Sequence, residues 1–177
     1  MDPVGAVFLA TATGVGGGTM RDLLLGIAPV FWVRSPAYLV ICVAAALLVF
    51  AGSRVVALSA RPLVWADAVR LATFAVIGTE AASTAGTSMP IALLVGVITA
   101  TGGGILRDLL CAQRPLILTG ELYVTAALAG SLAYWLLHAA WGLGESAAAA
   151  VAAAATLALR GASILFGIEL PKGRPAG

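Results

Sequence analysis

Gly16-Gly17-Gly18-Thr19-Met20-Arg21-Asp22-Leu23-Leu24 returns, with two changes, as Gly102-Gly103-Gly104-Ile105-Leu106-Arg107-Asp108-Leu109-Leu110. Seven of the nine positions are identical. The offset of 86 residues that relates the copies also carries Thr13 onto Thr99 and Pro29 onto Pro115. One offset holding inside and outside the window marks an internal duplication. Each copy lies within a long apolar segment, so the environment of those segments decides the fold.

The whole chain is apolar. Of its 177 residues 61% are hydrophobic and 10% charged, where a soluble domain carries about 25% charged residues. Mean hydropathy is +1.05. A soluble domain of this size has nowhere to hide so much apolar surface, whereas lipid solvates it. A span needs about 20 mostly apolar residues. Six segments qualify, over 3–27, 36–52, 64–86, 90–111, 121–141 and 146–167. Their runs are continuous, unlike barrel strands, which alternate over about 10 residues. The fold class expected is therefore an all-α integral membrane protein. The alanine-rich stretch 147–155 reads as a smooth helix face that lets neighbours approach.

Basic residues orient the spans. On the side where the first segment starts lie Arg54, Arg61, Arg70, Arg114, Lys172 and Arg174. The opposite connections hold Arg34, with His138 and Glu145 near the last turn. Basic residues gather on the cytoplasmic side, which puts the C-terminus in the cytoplasm of a multi-pass inner-membrane protein. Two spans separate the first from the fourth segment, so the two copies of the motif run antiparallel, as an inverted-topology repeat. As a single membrane domain, 1–177 divides into a first repeat at 1–60, a second at 61–142, and a final helix with its tail at 143–177.

Three successive glycines weaken a helix, each by about 1 kcal/mol relative to alanine. Two readings follow. The triplets either interrupt the first and fourth segments and open backbone toward a wet path, or they permit close helix crossing. In the first reading the hydroxyls of Thr13, Thr19, Thr99 and Thr101 lie beside the path. Arg21-Asp22 and Arg107-Asp108 follow each triplet, either as part of that path or as a clamp between the crossed copies and a snorkelling pair. Glu80 falls near mid-membrane in the third segment, as a cation site or as a protonated acid bonded to a neighbour. His138, at a helix end, reads as interfacial.

Other classes find little support. Gly14-x-Gly16-Gly17-Gly18 lacks the Lys-Ser/Thr and the preceding strand of a phosphate loop. One histidine and two distant cysteines make no metal cluster. Cys42 and Cys111 read as packing residues, not a disulfide. No enzyme activity and no cofactor are expected, beyond a transported monovalent cation or a bound lipid. A net charge of +2 gives no reason to expect a nucleic-acid partner. No secretory signal with a small-residue cleavage site is visible.

The doubled GGGxxRDxL motif at Gly16–Leu24 and Gly102–Leu110 resembles the prokaryotic branch of the trimeric intracellular cation channels, also grouped under a "glycine transporter" label. Phe74-Ala75-Val76-Ile77-Gly78 and Glu121-x-Tyr123-x-Thr125-Ala126-Ala127 extend the likeness over nearly the whole chain. The resemblance implies a seven-helix protomer, three plus three plus one, in a homotrimer within membrane lipid. It implies a pore in each protomer for monovalent cations such as potassium, lined by the two glycine-kinked helices. On this chain the kink residues are Gly16, Gly17, Gly18, Gly102, Gly103 and Gly104, and the motif charges are Arg21, Asp22, Arg107 and Asp108. Shifted by 86, the counterpart of the third segment falls before Met1. The pattern thus implies a further spanning helix ahead of the first, missing through truncation or start-site choice. A carrier for a small solute such as an amino acid, and a structural lipid-binding protein, are the alternatives.

Overall fold

The computed structural model describes residues 2–52, 60–118 and 122–170. Arg54, Glu121, Lys172 and Arg174, used above, lie outside the described residues. The fold is helical: α1 Pro3–Leu24, α2 Phe31–Arg34, α3 Ala37–Gly52, α4 Ala60–Thr84, α5 Met89–Leu110, α6 Val124–Trp135 and α7 Glu145–Phe166. A 3-10 turn, Leu116–Leu118, precedes α6, and a π turn, Leu136–Ala140, continues it. Within α4 Arg61–Thr84, and all of α5 and α7, are long and apolar enough to cross a bilayer by length and composition. Ala37–Gly52 and Val124–Ala140 are shorter apolar helices. The 22 residues of α1 span about 33 Å at a rise of about 1.5 Å each.

Local chemistry sets the ends. The Asp2 carboxylate accepts a 2.6 Å bond from the Gly5 amide, and Pro3 occupies the first turn, where its missing N–H costs nothing. Gly86 closes α4 and Gly167 caps α7 in the left-handed region, at φ +75° and +64°, where a Cβ is unfavourable. The short α2 was not expected. It forms because the Asp22 carboxylate accepts a 2.7 Å bond from its first amide, Phe31.

α1 and α5 cross antiparallel about a local two-fold. A β-carbon added at Gly17 would overlap the Thr99 carbonyl, and one added at Gly103 would overlap the Thr13 carbonyl. Gly16 faces Leu106 and Gly102 faces Met20 in the same reciprocal manner. In both sets the offset of 86 exchanges the partners, while residue numbers rise along one helix and fall along the other. That is the signature of an inverted repeat.

The expected interruption does not occur. α1 runs unbroken through residues 16–18 and α5 through 102–104. All six glycines are buried. At Gly17 and Gly103 weak helix propensity is overridden because hydrogen alone fits where two backbones touch.

α4 packs on α5, α6 and α7. Leu71, Ala75, Ala100, Tyr123, Ala126 and Ala127 form the core among α4, α5 and α6. Ala148 and Ala152 of α7 are fully buried against Val76 and Tyr134, as the alanine stretch led one to expect. Cys42 and Cys111 are free thiols. Cys42 lies against Gly14, whereas Cys111 is exposed just after α5.

The α6–α7 seam has no slack, since a β-carbon at Gly130 would overlap the Thr156 hydroxyl. Gly130→Val is expected to lower the unfolding free energy by about 1–3 kcal/mol, with Thr156→Ala recovering part of it in the double variant. Thermal unfolding in detergent checks this; a Gly130→Val variant as stable as the parent would show that the seam is loose.

Candidate functional site

The crossing is flanked by matched charges. Arg21 donates through Nε to Asp22 Oδ1 at 2.8 Å, and Arg107 through Nε to Asp108 Oδ1 at 2.9 Å. The second carboxylate oxygen of each aspartate accepts from the chain ahead: Asp22 from the Phe31 amide and Asp108 from the Leu116 amide at 3.0 Å. Each Arg-Asp pair thus turns the chain back at a helix end, where the arginine also complements the helix dipole. The clamp expected between crossed copies is not the arrangement found, because each arginine pairs with the aspartate of its own copy. Adjacent residues at a helix end meet without the length needed to bridge the crossing.

The two ends then differ. At the end where α1 starts, called face one, Asp67 of α4 joins the pair. Its Oδ1 accepts from Arg70 Nη2 and Arg107 Nη1, both at 3.0 Å. Arg70 also donates to the Ala100 carbonyl at 2.8 Å and to the Tyr123 hydroxyl at 2.9 Å. One guanidinium therefore ties α4 to α5 and to the entry of α6. Gly104 makes room for this, since a β-carbon there would stand 2.8 Å from the Tyr123 hydroxyl and 3.0 Å from Arg70 Nη2. Asp67 Oδ2 is buried with no hydrogen-bond partner and borders a cavity of about 170 Å³ shared with Arg107, Asp108, Gln113 and Arg114.

At the opposite end, face two, Gly18 is covered by the Phe31 ring, over which the Arg21 guanidinium lies at 5.5 Å. Glu80 stands one turn before the end of α4. The helix starts earlier, at Ala60, which shifts Glu80 toward face two. Its carboxyl faces that of Glu145, the first residue of α7.

The threonines divide. Thr19, Thr99 and Thr101 return their hydroxyls to helix carbonyls four residues back, Val15, Val95 and Val97, at 2.8, 2.6 and 2.8 Å. Thr19 also accepts from Trp32 Nε1 at 2.9 Å. Thr13 Oγ1 is buried with no hydrogen-bond partner. It borders a cleft of about 360 Å³ between α1 and α3, with Arg107 and Leu63 at one end and Ala46 and Phe50 along its wall. The structure thus gathers Gly17, Gly103, Thr13, Thr99 and Arg107 at one locus and leaves Glu80 in a separate cluster. Asp67, Arg70 and Tyr123 were not singled out as site residues. Asp67 and Arg70 share a helix face by their spacing of three, which was the one available signal; Tyr123 joins them only in three dimensions.

Comparison with known proteins agrees with this geometry. The family described as "Glycine transporter" matches residues 1–54 and 64–139. A membrane protein of Vibrio cholerae is 40% identical over 172 residues, covering 97% of this chain and 72% of that one. The structure of the trimeric intracellular cation channel orthologue from Rhodobacter sphaeroides superposes with a TM-score of 0.90 at 46% identity, covering 95% of this chain and 86% of that one. A second TRIC cation channel structure, solved to explain conductance, matches with a TM-score of 0.90 at 34% identity, over 100% of this chain and 87% of that one. With the family model matching most of its length and these channel folds superposing on its own, the chain belongs to the trimeric intracellular cation channel family, in its prokaryotic branch, and is a multi-pass membrane protein.

Proposed function

We propose that this chain conducts monovalent cations, potassium among them, along a path in each protomer that passes beside the α1–α5 crossing. The observation that carries the proposal is Thr13. Its hydroxyl is buried without a partner at the inner end of the cleft between α1 and α3, next to the two-fold contact of Gly17 and Gly103. An unsatisfied buried oxygen is costly unless something polar meets it, and a partly dehydrated cation or its water is such a partner. Gly16 and Gly102 let the two helices pack closely, Gly18 and Gly104 make room for Phe31 and Tyr123, and Thr19, Thr99 and Thr101 keep their hydroxyls on their own helix carbonyls. The path is thus flanked by intact glycine helices, not by opened backbone. Arg107 at the cleft and Arg21 at the far end act with Asp22 and Asp108 to fix the helix ends.

The rest of the reading follows the family. The protomer divides into repeats at 1–60 and 61–142 with a final helix and tail at 143–177, assembles as a homotrimer in membrane lipid, and performs no enzymatic step. Face one, with Arg61, Arg70 and Arg114, is the cytoplasmic side of the inner membrane. A carrier for a small solute is the second reading, favoured by the "Glycine transporter" description of the matching family.

Valine at Gly17 or Gly103 adds bulk where a β-carbon already overlaps a carbonyl. Gly17→Val and Gly103→Val are expected to insert normally, since insertion follows total hydrophobicity, but to lose most potassium flux per assembled particle. Reconstitution with sizing of the oligomer checks both. Unchanged flux in fully assembled variants would remove the crossing from the path.

Asp67→Ala strips Arg70 and Arg107 of a shared carboxylate and is expected to cost about 3 kcal/mol of stability. Flux per surviving particle should persist. Lost flux with unaltered stability would move these charges from a structural clamp into the path.

A further inference from the structure

The cavity at face one carries more hydrogen-bonding capacity than the helix ends use. It holds about 170 Å³ and lies between the start of α4 and the segment that follows α5. Most of its charged groups are engaged with one another. Arg107 directs Nη1 to Asp67 and Nη2 to Asp108. Both oxygens of Asp108 are taken, by Arg107 and by the Leu116 amide. Asp67 Oδ1 is taken by Arg70 and Arg107. Two groups are left over. Asp67 Oδ2 is buried without a hydrogen-bond partner, on a residue 5% exposed. The Arg114 guanidinium makes no ion pair among the described residues.

These two groups are opposite in kind, since a carboxylate oxygen only accepts and a guanidinium only donates. They line one cavity without pairing with each other. A simple cation would satisfy Oδ2 but would face three guanidinium groups, those of Arg70, Arg107 and Arg114, which oppose its charge. A simple anion would suit Arg114 but leave Oδ2 unsatisfied, which is costly for a buried group. A molecule that carries both charges answers both groups at once. The volume is several times the roughly 30 Å³ of one water, so it admits a molecule of a few heavy atoms and excludes a nucleotide. Leu63 and Val64 on the same wall offer a short alkyl group an apolar surface.

We propose that this cavity binds a small zwitterion, with an ammonium N–H donated to Asp67 Oδ2 and an anionic oxygen held by Arg114. A free α-amino acid with a small side chain has this chemistry, and so does the headgroup of phosphatidylethanolamine. Bound there, the zwitterion ties α4 to the segment that leads from α5 to α6. The site goes beyond the conduction reading: it has only Leu63 and Arg107 in common with the cleft at Thr13.

Isothermal titration calorimetry on the full chain in phosphatidylcholine nanodiscs reads the site, with L-alanine as the probe. Phosphatidylcholine has no ammonium N–H and so does not compete. L-alanine is expected to bind saturably. Ethylamine and propionate, which carry one charge each, are expected to bind about tenfold more weakly or not at all. Arg114→Gln removes the guanidinium at an exposed position. Asp67→Asn keeps an acceptor for Arg70 and Arg107 and can set an amide donor where Oδ2 stood. Each variant should weaken L-alanine binding by about tenfold or more, with thermal unfolding showing that it is folded. Nanodiscs containing phosphatidylethanolamine separate the two sources. If the occupant is the lipid, L-alanine does not bind, and phosphatidylethanolamine raises the unfolding temperature of the parent but not of Arg114→Gln. Absence of both effects would leave the cavity to water and overturn the proposal. Ethylamine binding as tightly as L-alanine, or L-alanine binding that folded Arg114→Gln retains in full, would overturn it too. Ion flux enters none of these measurements, so the site stands or falls separately from conduction.

Discussion

Contact between two helix backbones governs the molecule. At Gly17 and Gly103 there is no space for a β-carbon, because each position lies on the other helix's carbonyl. In lipid, where burial of apolar surface gives helices no preference for one another, such close packing supplies the attraction. Gly16 and Gly102 flank this contact on the partner helix, so the helices can cross with their backbones touching. The cost in helix propensity is accepted because the surrounding helices keep both rods straight. Everything else is arranged about this point: arginine–aspartate pairs at the two far ends, α4 across α5, and α7 against α4 and α6.

The local two-fold holds at the first two glycines of each triplet and breaks at the third. On one side Gly104 receives polar groups, Tyr123 and Arg70; on the other Gly18 receives the Phe31 ring. One copy of the motif is therefore locked by charge and the other by an aromatic face. The face-one network concentrates three guanidinium bonds on Asp67 Oδ1, from Nε and Nη2 of Arg70 and Nη1 of Arg107. At face two Arg21 pairs with Asp22 at 2.7 Å and lies over the Phe31 ring. A symmetric scaffold thus carries chemically distinct ends, which suits a protein that separates two aqueous compartments.

Much of this was legible in the residues. The offset of 86 gave the duplication, and counting spans gave its inversion; the reciprocal contacts of Gly17 with Thr99 and Gly103 with Thr13 agree with both. What propensity could not reveal was whether the glycines break the helix or bring helices together, since the same weakness serves both. Tertiary contact decided for packing. Glu80 sits nearer the end of its helix than the segment 64–86 suggested, because α4 runs from Ala60 to Thr84. The bond of Arg70 to Tyr123 across 53 positions joins residues that no local pattern connects. The short α2 was hidden too, since its cap, Asp22, lies nine residues away from the amide it holds.

A channel and a carrier can share this crossing, and they differ in how ions pass it. The most direct measurement is the current through purified, reconstituted protein in a planar bilayer with potassium on both sides. Conduction beside the α1–α5 crossing predicts discrete unitary steps whose size grows with driving force. Slow, saturable counterflow of a labelled small solute with no unitary steps would contradict it and establish the carrier instead.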